Sequence, residues 1–162
     1  MGIEVKNCPE LRMGGMRYVG PYGSPGMIEN WGKMHKWMAE HNLAKGVQMI
    51  GLYWDDPAQV PADQCRMDAG FILPEGFSED SHTDIQYQSV PSGTYAVLSE
   101  DVAMNSEGFQ AAWGKLYQWI HQQGHQTVQA VNYELYPELD CDSSENKTTM
   151  RVDIHAPVVP AG

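Results

Sequence analysis

An eight-residue pattern that begins with tryptophan occurs twice. Residues 31–38 read Trp31-Gly32-Lys33-Met34-His35-Lys36-Trp37-Met38, and residues 113–120 read Trp113-Gly114-Lys115-Leu116-Tyr117-Gln118-Trp119-Ile120. Trp-Gly-Lys and the second Trp recur at an offset of 82, and the apolar residues 34 and 38 match 116 and 120. Arg66-Met67-Asp68 recurs as Arg151-Val152-Asp153 at an offset of 85, a change that needs only a loop-length difference. Self-similarity at a fixed spacing indicates a repeated structural unit. Two amphipathic helices converging on one pattern is the rival explanation, and the shared Trp-Gly-Lys favours duplication. A chain of 162 residues fits one domain, with copy one at about 2–82 and copy two at about 83–156.

The local patterns repeat in the same order. Residues 2–8 alternate apolar and polar, as a half-buried strand does. A strand at 12–19 leads into Gly20-Pro21-Tyr22-Gly23-Ser24-Pro25-Gly26, and helical spacing of Ile28, Trp31, Met34 or His35, and Met38 predicts a helix over about 26–41, ended by Asn42. Strands at 47–54 and 65–73 complete copy one. Copy two has strands at 83–90 and 94–100, then a helix from an N-cap at Ser106 to about 123 with Gly124 beyond it. Strands at 130–137 and 148–156 follow, flanking an acidic hairpin loop over 138–147, and 157–162 is a tail. This pattern predicts an α+β fold: duplicated ββαββ-like units with pseudo-twofold symmetry, an antiparallel sheet with helices on one face, and a central cleft between the copies.

Charge narrows the partners. The formal net charge is −11, divided as −4 over residues 1–82 and −7 over 83–162. Such a surface repels phosphate backbones, argues against direct nucleic-acid binding and favours cationic ligands; the bland reading is that it only keeps the chain soluble. No apolar run is long enough to cross a membrane. Cys8, Cys65 and Cys141 have no metal-ligand spacing and cannot all pair, which points to free thiols in a reducing, cytoplasmic setting. The six histidines form no metal motif, and neither a Ser-His-Asp nor a Cys-His arrangement nor a phosphate loop can be inferred. No metal or cofactor is expected.

Glu134 is the first candidate site residue. It lies in the middle of an apolar strand, on one face with Asn132 and Tyr136, while Tyr133 and Leu135 share the other. Buried without a cationic partner, its carboxyl would have a raised pKa, and it could attract a cation or act as a general base. A salt bridge to Arg66 or Arg151, or exposure to solvent, is the structural alternative. Tyr53, Trp54, Tyr133 and Tyr136 lie on corresponding strands, and an offset of 82 pairs Trp54 with Tyr136 and Tyr53 with Leu135. Aromatic faces suit planar and cationic ligands. Core packing competes with that role at each position, and at least two of the set should line the cleft. Trp31 and Trp37 are six residues apart, so they point to different sides of their helix, as do Trp113 and Trp119. One of each pair should pack on the sheet and the other cap the groove; Trp31 and Trp113 are taken as the groove residues. Gly32 and Gly114 suggest a close helix–sheet approach, and the repeated Arg-x-Asp segments read as structural ion pairs.

Several stretches resemble the GyrI-like small-molecule-binding family: Val19-Gly20-Pro21-Tyr22, Gly51-Leu52-Tyr53-Trp54-Asp55-Asp56-Pro57, Cys65-Arg66-Met67-Asp68, Gly93-Thr94-Tyr95-Ala96-Val97 and Tyr133-Glu134-Leu135-Tyr136. That family includes the bacterial gyrase-inhibitory protein and the effector-binding domains of multidrug-sensing regulators. The resemblance implies a duplicated fold with an apolar central cleft that takes amphipathic, often cationic, aromatic compounds, and a buried glutamate, here Glu134, facing the ligand. Regulators of the family carry an added DNA-binding domain; here the two copies fill residues 2–156, so the chain is expected to be a stand-alone binding domain. Two other functions come with the resemblance. One is hydrolysis of electrophilic, cyclopropane-containing compounds, with Glu134 as the catalytic base and Tyr53, Trp113 and Tyr136 as helpers. The other is modulation of DNA gyrase.

Overall fold

The structure is a computed structural model that describes residues 2–43, 46–79, 84–128, 130–137 and 149–159. In chain order the elements are β1 (Gly2–Cys8), β2 (Leu11–Val19), α1 (Pro25–Glu40), β3 (Met49–Tyr53), β4 (Arg66–Ile72), β5 (Gln86–Val90), β6 (Gly93–Ala103), α2 (Ser106–Gln122), β7 (Gln126–Thr127), β8 (Asn132–Tyr136) and β9 (Thr149–Val159). Eight strands form one antiparallel sheet in the order β1-β6-β9-β8-β3-β4-β2-β5, and β7 pairs with β9. The expected hairpin loop at 138–147 lies outside the described residues.

The pairing is consistent with the repeat. From the centre outward one half runs β3-β4-β2-β5 and the other β8-β9-β6-β1. Offsets of 82 for β1 to β5 and for β2 to β6, 83 for β3 to β8 and 85 for β4 to β9 carry the register of one half onto the other. Thus Val19 opposite Arg66 corresponds to Asp101 opposite Arg151, Gly51 opposite Ala69 to Glu134 opposite Ile154, and Val5 opposite Ala96 to Tyr87 opposite Gly14. The first strand of each copy is exchanged: β1 pairs with β6, and β5 pairs with β2.

Both helices pack on one face of the sheet. Met34, Trp37 and Met38 of α1 and Ala112, Leu116 and Ile120 of α2 share a core with Met67, Phe71, Leu98, Val152 and Ile154. Each fully buried Met, Leu, Ile, Val or Phe among them contributes about 1.5–3 kcal/mol relative to exposure. Capping sets the helix ends. Ser24 Oγ accepts from the Met27 N–H at 3.3 Å, just before Pro25. α2 begins on Asn105, whose Oδ1 accepts from the Gly108 N–H at 2.7 Å, one residue earlier than the expected Ser106. Asn42 (φ 59°) and Gly124 (φ 75°) follow the two helices in left-handed conformation.

Two further local expectations are corrected. A Cβ on Gly32 or Gly114 would meet nothing within 4 Å, so both helical glycines face open space and mark no close packing. The end of the chain is not a tail from 157, because β9 continues to Val159 and pairs with β7. Among the described residues no helix is long and apolar enough to cross a membrane.

Candidate functional site

The central strands β3 and β8 lie between the two helices. Their register puts Met49 opposite Tyr136, Gly51 opposite Glu134 and Tyr53 opposite Asn132. Strand alternation sends these six side-chain positions to the helix-bearing face and sends Ile50, Leu52, Tyr133 and Leu135 to the other. From the flanks of the helices, one tryptophan on each side reaches over this strip. Trp31 of α1 meets Tyr136 edge to face at 5.5 Å, and Trp113 of α2 meets Tyr53 in the same manner at 6.1 Å. Each helix therefore covers a tyrosine belonging to the opposite half.

Glu134 sits in the middle with 1% of its surface exposed. Its partners are neutral donors. The Tyr136 hydroxyl donates to Oε1 at 2.5 Å, the Tyr53 hydroxyl donates to Oε1 at 3.1 Å, and Trp113 Nε1–H donates to Oε2 at 2.5 Å. Among the described residues no lysine, arginine or histidine pairs with it; Arg66 is bound to Asp55 and Arg151 lies 3.9 Å from Asp101. Burial pushes the Glu134 pKa above its ordinary value of 4.5, and the three hydrogen bonds act against that rise. Burial, reinforced by the neighbouring carboxyl, also pushes the Tyr53 and Tyr136 hydroxyls well up, so both remain protonated donors.

Aromatic rings line the crevice between the helices. Tyr136 is buried, and Trp31, Tyr53 and Trp113 are half-buried. Two hollows lie elsewhere, one beside His121 and His125 and the other between Lys33 and Asp84, and Glu134 lines neither. A small molecule would reach the carboxyl by displacing aromatic side chains.

Of the residues expected to line a cleft, five come together here: Glu134, Tyr136, Tyr53, Trp113 and Trp31. Trp54 does not. It follows Tyr53 and points to the opposite face, where its Nε1–H donates to Asp68 Oδ2 at 2.7 Å. Asp68 also receives Arg17 through two bonds of 2.9 Å and Gln88 at 2.9 Å, and these partners hold its pKa down against the upward effect of burial. Tyr133 is likewise on that far face, stacked on His155 with ring centroids 4.2 Å apart.

Two supporting residues escaped the sequence reading. Tyr22 meets Tyr53 edge to face at 5.2 Å and is itself fixed by donating to the Arg66 carbonyl at 2.6 Å. It stands in the Val-Gly-Pro-Tyr stretch, which was the available signal. Tyr117, one turn beyond Trp113 and stacked on it, accepts from Asn132 Nδ2 at 2.8 Å; its i+4 spacing from Trp113 was the only hint.

Residues 1–159 match the model of the GyrI-like small molecule binding domain. The chain is 30% identical over 153 residues to DNA gyrase inhibitor 2 of Dickeya dadantii, covering 94% of this chain and 93% of that one. It is 32% identical over 150 residues to a DNA gyrase inhibitor of Serratia proteamaculans, covering 88% and 90%. Similar folds are found in the C-terminal domain of EcmrR (TM-score 0.69, 15% identity, 99% of this chain and 98% of that chain) and in SAV2435 bound to tetraphenylphosphonium (TM-score 0.66, 18% identity, 98% and 94%). A hydrolase from Listeria innocua shares the fold at a TM-score of 0.61 with 11% identity over 97% of this chain and 91% of that one. With its buried acid among crossed aromatic pairs and a family match over almost its full length, this chain belongs to the GyrI-like small-molecule-binding family.

Proposed function

We propose that this protein sequesters amphipathic, cationic aromatic small molecules in the crevice between α1 and α2, with Glu134 as the electrostatic anchor. One observation carries the reading: Glu134 is 1% exposed and, among the described residues, is held only by neutral donors. A buried carboxylate with no cation of its own is electrostatically unsatisfied, and a ligand cation would supply the missing charge. Trp31, Tyr53, Trp113 and Tyr136 offer ring faces, each worth about 0.5–2 kcal/mol to a cation placed over it. The net charge of −11 draws cations toward the surface, and the chain works in the cytoplasm with its cysteines reduced. Titration of the intrinsic tryptophan fluorescence with tetraphenylphosphonium and with ethidium tests the proposal. Saturable binding, weakened at least tenfold by Glu134→Gln, is expected. No saturation by either cation, or equal affinity in the variant, overturns it.

A second reading draws on the same carboxyl. Its raised pKa and its two adjacent phenol donors suit a general base that activates water toward an electrophilic cyclopropane ring while Tyr53 and Tyr136 hold the substrate. Multiple turnovers of such a compound, abolished in Glu134→Gln, would establish it; one-to-one binding without product would exclude it. Modulation of DNA gyrase is a third reading, supported by the relatives' names. Co-purification with gyrase at low salt that is lost at high salt is its test, and no retention at low salt would refute it.

A further inference from the structure

The two ends of the central crevice are chemically unequal. At one end Tyr117 is satisfied, accepting from Asn132 at 2.8 Å. The repeat places His35 in the position of Tyr117 and Met49 in the position of Asn132. A thioether gives an imidazole no comparable partner. Accordingly His35 Nε2 is buried and makes no hydrogen bond within the described structure. Buried polar atoms are nearly always paired, and an unpaired one costs about 1–3 kcal/mol. His35 lies one turn beyond Trp31, whose ring is 6.1 Å away and which in turn meets Tyr136. It therefore lies along the flank of α1 that faces the crevice, at the end where Met49 and Tyr136 pair.

We propose that His35 is a second, hydrogen-bonding contact of the crevice, so that the protein prefers an aromatic monocation carrying a hydroxyl group on a ring remote from its charge. The inference rests on the reading that the crevice takes lipophilic cations. Burial lowers the His35 pKa below 6.5, so the ring is neutral at pH 7, and either tautomer can pair with a hydroxyl, which both donates and accepts. A single positive charge is favoured because Gly51, the repeat counterpart of Glu134, brings no second carboxylate. Displacing Trp31, the movement that would open this end, also uncovers His35.

Two probes separate the contributions: tetraphenylphosphonium, which has no hydrogen-bonding group, and (3-hydroxyphenyl)triphenylphosphonium. Binding of both is measured by calorimetry with the wild type, His35→Phe, His35→Gln and Glu134→Gln. The wild type is expected to prefer the hydroxylated probe by on the order of fivefold, the usual worth of one net hydrogen bond. His35→Phe should remove this preference, so that the two probes bind it with equal affinity, while His35→Gln should retain part of it. No preference in the wild type, a preference that survives in His35→Phe, or equal weakening of both probes overturns the role of His35. Failure of both probes to bind, or indifference of both to Glu134→Gln, overturns the cation-binding reading and this inference with it.

Discussion

Glu134 stands directly opposite Gly51 in the central antiparallel pair, each being the other's counterpart in the repeat. One position carries a carboxylate and the other carries nothing, and the difference has a steric cause. A Cβ on residue 51 would lie 2.7 Å from the Tyr136 hydroxyl and 3.2 Å from Trp31 Cζ2. The space above Gly51 is used by the Tyr136 hydroxyl, which donates to Glu134. Gly51→Ala should push that hydroxyl away, destabilise the fold by about 1–3 kcal/mol as overpacking does, and weaken cation binding. Urea unfolding and fluorescence titration of the variant check both effects; an unchanged midpoint and affinity would show that Tyr136 yields at no cost.

Glu134→Gln separates binding from stability. Gln can accept from Trp113 through its oxygen and donate to a tyrosine hydroxyl through its amide, so the cluster remains paired. The wild-type carboxyl has a folded pKa above its ordinary value of 4.5. Its favourable contribution is therefore complete below the unfolded pKa and disappears as pH rises through the higher folded value. Gln does not titrate. The variant should gain stability relative to the wild type as pH rises from 4 toward 8, even while it loses cation affinity. Thermal unfolding of both proteins across that range measures the difference, and a variant that loses stability relative to the wild type as pH rises contradicts the assignment.

Ligand affinity should carry the opposite signature. A cation needs the ionised carboxylate, so the wild-type dissociation constant should rise as pH falls through the Glu134 pKa, with a tenfold loss per pH unit once the acid is mostly protonated. Glu134→Gln should show a flat profile for the same cation. Calorimetric titration between pH 5 and 8 decides it, and parallel profiles for the two proteins would assign the titration to another group.

The repeat made most of the architecture legible: two helices over antiparallel strands, with the acid in mid-strand. The offset of 82 was the correct guide for the helices, and it brought Trp31 and Trp113 to equivalent places. It failed by one residue at β3 and β8, where the register requires 83. The connection between helix and strand differs by one residue in the two copies, a difference masked by the absence of any local similarity there. Because side chains alternate along a strand, a slip of one exchanges the faces. That slip is why Trp54 was matched with Tyr136, when Tyr53 is its counterpart. The exchange of β1 and β5 between halves was equally invisible, since alternation shows that a strand exists but not which edge it joins.

The same alternation yields a test of which aromatics matter. Trp54 is bonded to Asp68 on the far face, whereas Trp113 is bonded to Glu134. Trp113→Phe should lower cation affinity several-fold, and Trp54→Phe should leave it unchanged while costing about 1 kcal/mol through the lost hydrogen bond. Asp68→Ala should cost more, about 3 kcal/mol, because it strands Arg17, Trp54 and Gln88 together. Equal loss of cation affinity in the Trp54 and Trp113 variants would place the binding surface elsewhere.

On the far face, His155 supplies a pH dependence independent of the crevice. It is 6% exposed, stacks on Tyr133, and burial lowers its pKa from 6.5 to about 4. The unfolded chain thus binds a proton between these values that the folded protein refuses, so stability falls as pH drops below 6.5 and the loss ends near 4. At pH 5 the penalty is about 2 kcal/mol relative to pH 7. The effect runs against that of Glu134, which favours the folded state in acid, so the wild type shows only their difference. Combining His155→Phe, which keeps a ring on Tyr133, with Glu134→Gln removes both terms. The His155→Phe single variant should therefore be the most acid-resistant of the series in urea unfolding at pH 5 against pH 7, and Glu134→Gln the least. A His155→Phe variant no more acid-resistant than the wild type would mean that His155 takes up its proton while still folded.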